Sequence, residues 1–202
     1  AHAVQVLDVY LSFLATPDVL SRTFGAMRAA AAAAGRRIPV GVLGSVIVRD
    51  TDDEAWTHFE WQLSHTDPAE MTRLADRNLR SFGFGPLADR SSADPQVQAR
   101  IEALRASRLP TREELEFAPG MAAGLTTWTS GEPPFDIAGK GSGNYLIGSP
   151  ETVAGLITQL TAELDIDTWI LSGWPLAAEA ERFAAQVLPL LPVRPYEPPA
   201  VA

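Results

Sequence analysis

Cysteine is absent from the 202-residue chain, which excludes disulfides, thiolate metal sites and cysteine nucleophiles within it. Histidine is scarce. His2, His58 and His65 are the three present, they lack metal-ligand spacing, and no metal is expected. His58 and His65 read as surface or packing residues of one helix. Positive charge is in deficit, and a net charge of −9 argues against holding nucleic acid on a general basic surface. No apolar run approaches the length of a membrane span. The alanine-rich stretch from Ala29 to Ala34 is bracketed by Arg28, Arg36 and Arg37 and reads as helix. With no signal-like start, a cytoplasmic location is the expectation. Gly139-Lys140-Gly141-Ser142-Gly143 fits neither G-x-G-x-x-G nor a P-loop, since no strand precedes it and no Lys-Ser/Thr opens a helix. It reads as a flexible loop.

What is present is a hydrophobic fraction of 46%, ordinary for a globular domain, on a chain long enough for one core. Residue 1 is Ala rather than Met, and the chain is expected to be a piece of something larger.

Val4 to Phe13 is rich in Val, Leu, Tyr and Phe and reads as a strand. Thr16-Pro17-Asp18 then offers an N-cap, Pro at N1 and an acid in the first turn. Leu20, Phe24, Met27, Ala31 and Ala34 mark one face of the helix that follows, and Gly35 ends it. Ile38 to Val48, apolar on both faces, is a second strand of parallel type. Gly41 and Gly44 within it suggest a bulge or the close approach of another backbone. Thr51 with Asp52, Asp53 and Glu54 caps the next helix, whose buried stripe is Ala55, Phe59 and Leu63. Strand, helix, strand, helix with short connections is the βα repeat of a parallel sheet or barrel.

The rhythm then breaks over residues 66–147. Short helices are expected at Glu70–Arg80 and Pro95–Ser107, followed by a stretch rich in Gly, Pro, Thr and Ser. An excursion this long is functional or disordered. Its apolar residues, Phe82, Phe84, Leu115, Phe117, Met121, Leu125 and Trp128 among them, favour an ordered insertion or lid with a mobile portion. Order is expected to return at Ser149-Pro150-Glu151, a capped helix start, with Val153, Leu156, Ile157 and Leu160 on the buried face. Thr168 to Leu171 reads as a buried strand that stops at Ser172-Gly173-Trp174-Pro175, and another helix follows. Ligands of α/β folds collect beyond the carboxyl ends of parallel strands, so Ser172, Gly173 and Trp174 are candidates for an active-site rim. Residues 191–202 form a Pro-rich tail, and the whole of 1–202 reads as one domain.

Five segments in order, 8–13 (Asp-Val-Tyr-Leu-Ser-Phe), 32–38 (Ala-Ala-Ala-Gly-Arg-Arg-Ile), 46–56 (Val-Ile-Val-Arg-Asp-Thr-Asp-Asp-Glu-Ala-Trp), 148–154 (Gly-Ser-Pro-Glu-Thr-Val-Ala) and 166–175 (Ile-Asp-Thr-Trp-Ile-Leu-Ser-Gly-Trp-Pro), resemble the C-terminal part of bacterial-luciferase-like flavin monooxygenases, in the manner of their alkanesulfonate branch. The resemblance implies an α/β fold of TIM-barrel type with a long insertion before the last strand. The three strands read above would be the sixth, seventh and eighth. A closed barrel takes about 250 residues, so the remaining strands would come from an N-terminal half, and the chain alone would leave one sheet face uncovered and two edges open.

For function the resemblance implies reduced FMN as a co-substrate delivered by a flavin reductase, oxygen as oxidant, a small organosulfur substrate and a homo-oligomer. Arg112, in Thr-Arg-Glu-Glu-Leu-Glu-Phe, corresponds to an arginine on the family's mobile loop. It would pair a sulfonate or phosphate in a forked geometry; spacing alone offers instead an i,i+4 pair with Glu116. Gly173 would let the backbone approach the flavin, Trp174 and Phe13 would wall the pocket, and Ser45 would line it. A tight strand-to-helix turn and ordinary strand packing are the alternatives for these positions. The chain departs from the branch where its Arg-x-His pair falls on Leu43 and Ser45, and near a tyrosine position that falls on Leu160. Leucine holds no anion and serine donates no proton near neutral pH, which points away from a sulfonate. Two other readings stay open: a deazaflavin (F420) oxidoreductase on the same barrel, and a non-catalytic relative.

Overall fold

A computed structural model describes residues 3–81, 83, 85–124 and 144–193. The expected mobile portion of the insertion, with Leu125, Trp128 and the loop at 139–143, lies outside the described residues. So do Phe82, Phe84 and positions 194–202 of the tail.

The chain opens on a short helix α1 (Ala3–Val6), not on a strand. Extended structure begins only at β1 (Tyr10–Phe13), because Arg36 binds the carbonyls of Val4 and Leu7 at 2.6 and 3.0 Å and holds the first residues folded over the end of α2 (Pro17–Ala33). Thr16 precedes α2 but makes no side-chain cap; Pro17 at N1 starts the helix. Gly35 takes φ +68°, the left-handed turn that lets the chain leave the helix. β2 (Val40–Val48) runs unbroken through Gly41 and Gly44. A Cβ on Gly41 would lie 2.6 Å from Leu11 Cδ2 and 3.1 Å from the Thr168 carbonyl, so close approach of both neighbouring strands is what requires glycine there. Thr51 and Glu54 form a full capping box on α3 (Asp52–Ser64).

Helices α4 (Pro68–Ser81), α5 (Pro95–Arg105) and α6 (Arg112–Leu115) follow. Asp94 caps α5 and a second capping box, Thr111 with Glu114, opens α6. Three short strands come next: β3 (Glu116–Ala118), β4 (Met121–Ala122) and β5 (Tyr145–Gly148). The expectation of irregular chain up to Ser149 missed β5. Its four residues are all buried and carry no alternation to read. Ser149 caps α7 (Pro150–Leu164) by accepting from Thr152 N, and β6 (Thr168–Ser172) and α8 (Leu176–Gln186) complete the order.

β2 is the centre of the sheet. Its first half pairs in parallel with β1 and its second half with β5 along one edge, while β6 pairs in parallel on the other edge. β4 and β3 extend the sheet antiparallel beyond β5. The fold is thus α/β, built on a curled partial-barrel sheet. One face of β2, Val40, Val42, Val46 and Val48, packs with Leu20 and Phe24 of α2 and Val153, Ile157 and Leu160 of α7. On the other face Ile47, Tyr145 and Ile147 join Ala55, Phe59 and Leu63 of α3 and apolar residues of α4 and α5. That second layer covers only the carboxyl-terminal part of the sheet. β6 is consequently not the buried strand read from its composition: Ile170 is 48% exposed, and Leu11 and Phe13 of β1 are 42% and 39% exposed. Among the described residues no helix is long and apolar enough to cross a membrane.

Candidate functional site

Parallel pairing stacks side chains in rows, because partners in register share a face. Phe13, Leu43 and Ile170 make one row across β1, β2 and β6. One step toward the carboxyl ends, Tyr145, Ser45 and Ser172 make the next, across β5, β2 and β6. Phe13, Ser45 and Ser172, far apart in the chain, thus meet on one sheet face. The lower row is apolar and largely open. The upper row carries three hydroxyls, and that of Ser45 is fully buried with an Oγ that has no hydrogen-bond partner. A buried hydroxyl left without a partner costs about 1–3 kcal/mol, enough to mark the position. Its backbone is satisfied, Ser45 N donating to Asn144 O at 2.9 Å.

The chain leaves this face through Gly173. A Cβ there would sit 2.6 Å from Glu179 Cβ and 2.9 Å from the Val46 carbonyl, so glycine is needed for α8 and β2 to close on the turn. The Trp174–Pro175 peptide is cis. Trp174 is 38% exposed, and its carbonyl accepts from Gln62 Nε2 at 3.1 Å. Behind the turn, Arg49 and Glu179 form an ion pair of 2.8 Å with side-chain exposures of 16% and 3%. A pair this desolvated is strongly destabilised if one partner is removed, so it fixes the start of α8 against the end of β2.

His58, read as a packing residue, lies beside this turn. It stacks on Trp61 with ring centroids 5.3 Å apart and meets Gln62 Nε2 at 3.2 Å. Burial, then the charge of Arg49, pushes its pKa down to about 4. The neutral ring is therefore the working form near pH 7. Gln62, 6% exposed, links His58 to the Trp174 carbonyl and has no signature in the sequence beyond a polar residue on a buried stripe.

Arg112 packs elsewhere, in the layer of α3 and α6. Its Nε meets Glu116 Oε2 at 3.0 Å, and its guanidinium carbon lies 4.0 Å from the Trp56 ring centroid. The i,i+4 pair is therefore formed, with a cation–π contact added. Its segment is tied down by Arg100 Nη1 donating to the Glu114 carbonyl at 2.9 Å and by the Arg108–Glu114 pair at 2.7 Å. Leu160 is a core residue. Among the described residues no cluster of three or more His, Cys, Asp or Glu is arranged to hold a metal.

Comparison with known proteins adds the following. The family model for luciferase-like monooxygenase matches residues 1–168. Among solved structures, DmoA from Hyphomicrobium sulfonivorans is 18% identical with a TM-score of 0.61, over 93% of this chain and 38% of that one. The long-chain alkane monooxygenase LadA is 18% identical with a TM-score of 0.59, over 96% of this chain and 40% of that one. The riboflavin lyase RcaE, solved with modified FMN and riboflavin, is 20% identical with a TM-score of 0.58, over 91% of this chain and 38% of that one. At such identities the likeness is one of fold. The chain spans about two fifths of the length of these structures.

Proposed function

This chain belongs to the luciferase-like monooxygenase family, and on that footing we propose that it is the carboxyl-terminal portion of a flavin-dependent monooxygenase, completed by an N-terminal half of the barrel and acting on a small organosulfur or related compound. The observation that carries the reading is the open apolar row of Phe13, Leu43 and Ile170 beside the unpartnered hydroxyl of Ser45. A sheet face that presents exposed apolar side chains next to a buried, unsatisfied donor is suited to a planar ring system with polar edges. RcaE, similar in fold, is a protein solved with a modified FMN.

The residues present fit reduced FMN. Phe13 and Ile170 would lie against its ring, Ser45 and Ser172 would meet its polar edge, and Trp174 would close the side at the end of β6. Bound there, reduced FMN supplies the electrons with which oxygen is activated. The chain's own part is shape and exclusion of water: the Phe13, Leu43 and Ile170 row keeps the face dry, and low dielectric strengthens each polar contact made on it. Ser45 Oγ can donate one hydrogen bond. No arginine stands in either row, so the substrate held on this face would be less charged than an alkanesulfonate. Arg112, paired with Glu116, would take part only after exchanging that partner.

The test is turnover. Full-length protein, supplied with oxygen, FMN and an NADPH-dependent flavin reductase, is expected to oxidise at least one member of a panel of sulfones, sulfides and sulfonates, with sulfones preferred. Absence of substrate-dependent product with every member contradicts the proposal.

A further inference from the structure

Arg49 and Asp50 at the end of β2, Glu54, His58 and Trp61 on α3, and Arg182 on α8 line an open groove of about 620 Å³. This volume lies within the about 300–1,000 Å³ typical of small-molecule sites. Its charged groups differ in what they already hold. Arg49 is paired with Glu179 at 2.8 Å. Glu54 accepts from Thr51 N at 3.1 Å, and Asp50 accepts from Gln186 Nε2 at 3.4 Å. Arg182 has no hydrogen bond or ion pair among the described residues, and its Nε is shielded from solvent with no acceptor. A guanidinium whose donor is withdrawn from water and left unmatched is poised for an anion.

The aromatic wall points to the rest of the ligand. Trp61 is 53% exposed although its ring stacks on His58, 25° from parallel. The imidazole beneath it is held neutral by burial, with the nearby charges of Arg49 and Arg182 acting in the same direction. A neutral, stacked histidine adds a second π surface without adding a competing cation.

We propose that this groove binds a planar aromatic monoanion, its sulfonate, carboxylate or phosphate group on Arg182 and its ring on Trp61. The inference uses residues of this chain alone and does not depend on the flavin reading. A site of this kind has a two-part signature, since neither the ring nor the anion is sufficient separately.

The experiment measures binding to the full-length protein by titration calorimetry with 2-naphthalenesulfonate, with its neutral sulfonamide and with methanesulfonate. 2-Naphthalenesulfonate is expected to bind, and the sulfonamide and methanesulfonate each about tenfold more weakly or not at all. Arg182→Gln is expected to weaken 2-naphthalenesulfonate about tenfold, and Trp61→Ala about fivefold, each without change in the circular dichroism spectrum. Equal binding of the sulfonamide, equal binding of methanesulfonate, no binding of 2-naphthalenesulfonate, or unchanged affinity in both variants would overturn the proposal. Should Arg182→Gln fail to fold, the exposed Trp61→Ala decides alone. None of these ligands is a flavin, so failure here leaves the monooxygenase assay untouched, and the converse holds.

Discussion

Burial and the guanidinium of Arg49 hold the His58 imidazole at about 4, below its ordinary 6.5, and this makes stability depend on pH in a defined window. In the unfolded chain the ring takes a proton below 6.5; in the folded protein it resists protonation until about 4. The unfolded state therefore binds more protons between these values, and stability present above 6.5 is lost as pH falls toward 4. Five carboxyls are also held low, Asp52, Glu70, Asp76, Glu113 and Glu114, from ordinary values of 3.8 or 4.5; their contribution fades about one unit above those values, so above about pH 5.5 the slope belongs to His58. Urea midpoints recorded from pH 7 to 4.5 are expected to fall for wild type and to change less for His58→Gln. Parallel curves would show that the ring is not coupled to folding. Little of this could be read from the sequence. Two histidines on one helix face look alike there, and what separates His58 is Gln62 on its own helix together with Arg49 and Arg182 from other elements. Ser45 was legible as a polar residue inside an apolar strand. Its neighbours Tyr145 and Ser172 are supplied only by the pairing of β2 with β5 and β6.

Two helix starts illustrate how elements are joined. Asp52 opens α3, yet its carboxylate accepts from Ser149 N at 2.6 Å and from Thr152 Oγ1 at 3.1 Å, so it also binds the start of α7. The Ser149 N–H is the main reason that its pKa is lowered. Gly148 belongs to the same joint, since a Cβ there would lie 2.8 Å from Asp52 Oδ1. Asp52→Ala removes a charge-assisted acceptor for two donors and is expected to cost about 2 kcal/mol, measured by chemical denaturation; a loss within experimental error would show the bridge to be redundant. The capping residues Thr51, Ser149 and Glu54 were legible because a cap is local in sequence. The bridge between two caps was not, because Asp52 and Ser149 are neighbours only once β2 and β5 pair. β1 and β5 were misread for related reasons. Val4–Val6 has strand-like composition but folds back under Arg36, and β5 is too short for any pattern to speak.

At the scale of the molecule the described strands leave the sheet open at β1 and β6. Among the described residues β1 and β6 each pair only with β2, and the side chains between them, Leu11, Phe13 and Ile170, stay more than a third exposed. The βα rhythm made a partial parallel sheet legible from composition and spacing. Which face stays open was not, because it depends on where α3, α4 and α5 settle. The solved structures of this fold are about two and a half times as long as the stretch matched here. We propose that this open face becomes the flavin wall of the full-length protein. It is tested most directly by anaerobic titration of full-length protein with reduced FMN, comparing wild type with Ser45→Ala and Ile170→Glu. Wild type is expected to bind, Ser45→Ala about fivefold more weakly for one lost hydrogen bond, and Ile170→Glu at least about tenfold more weakly for a charge placed on the dry wall. Equal affinity in all three would contradict the placement of the flavin on this face.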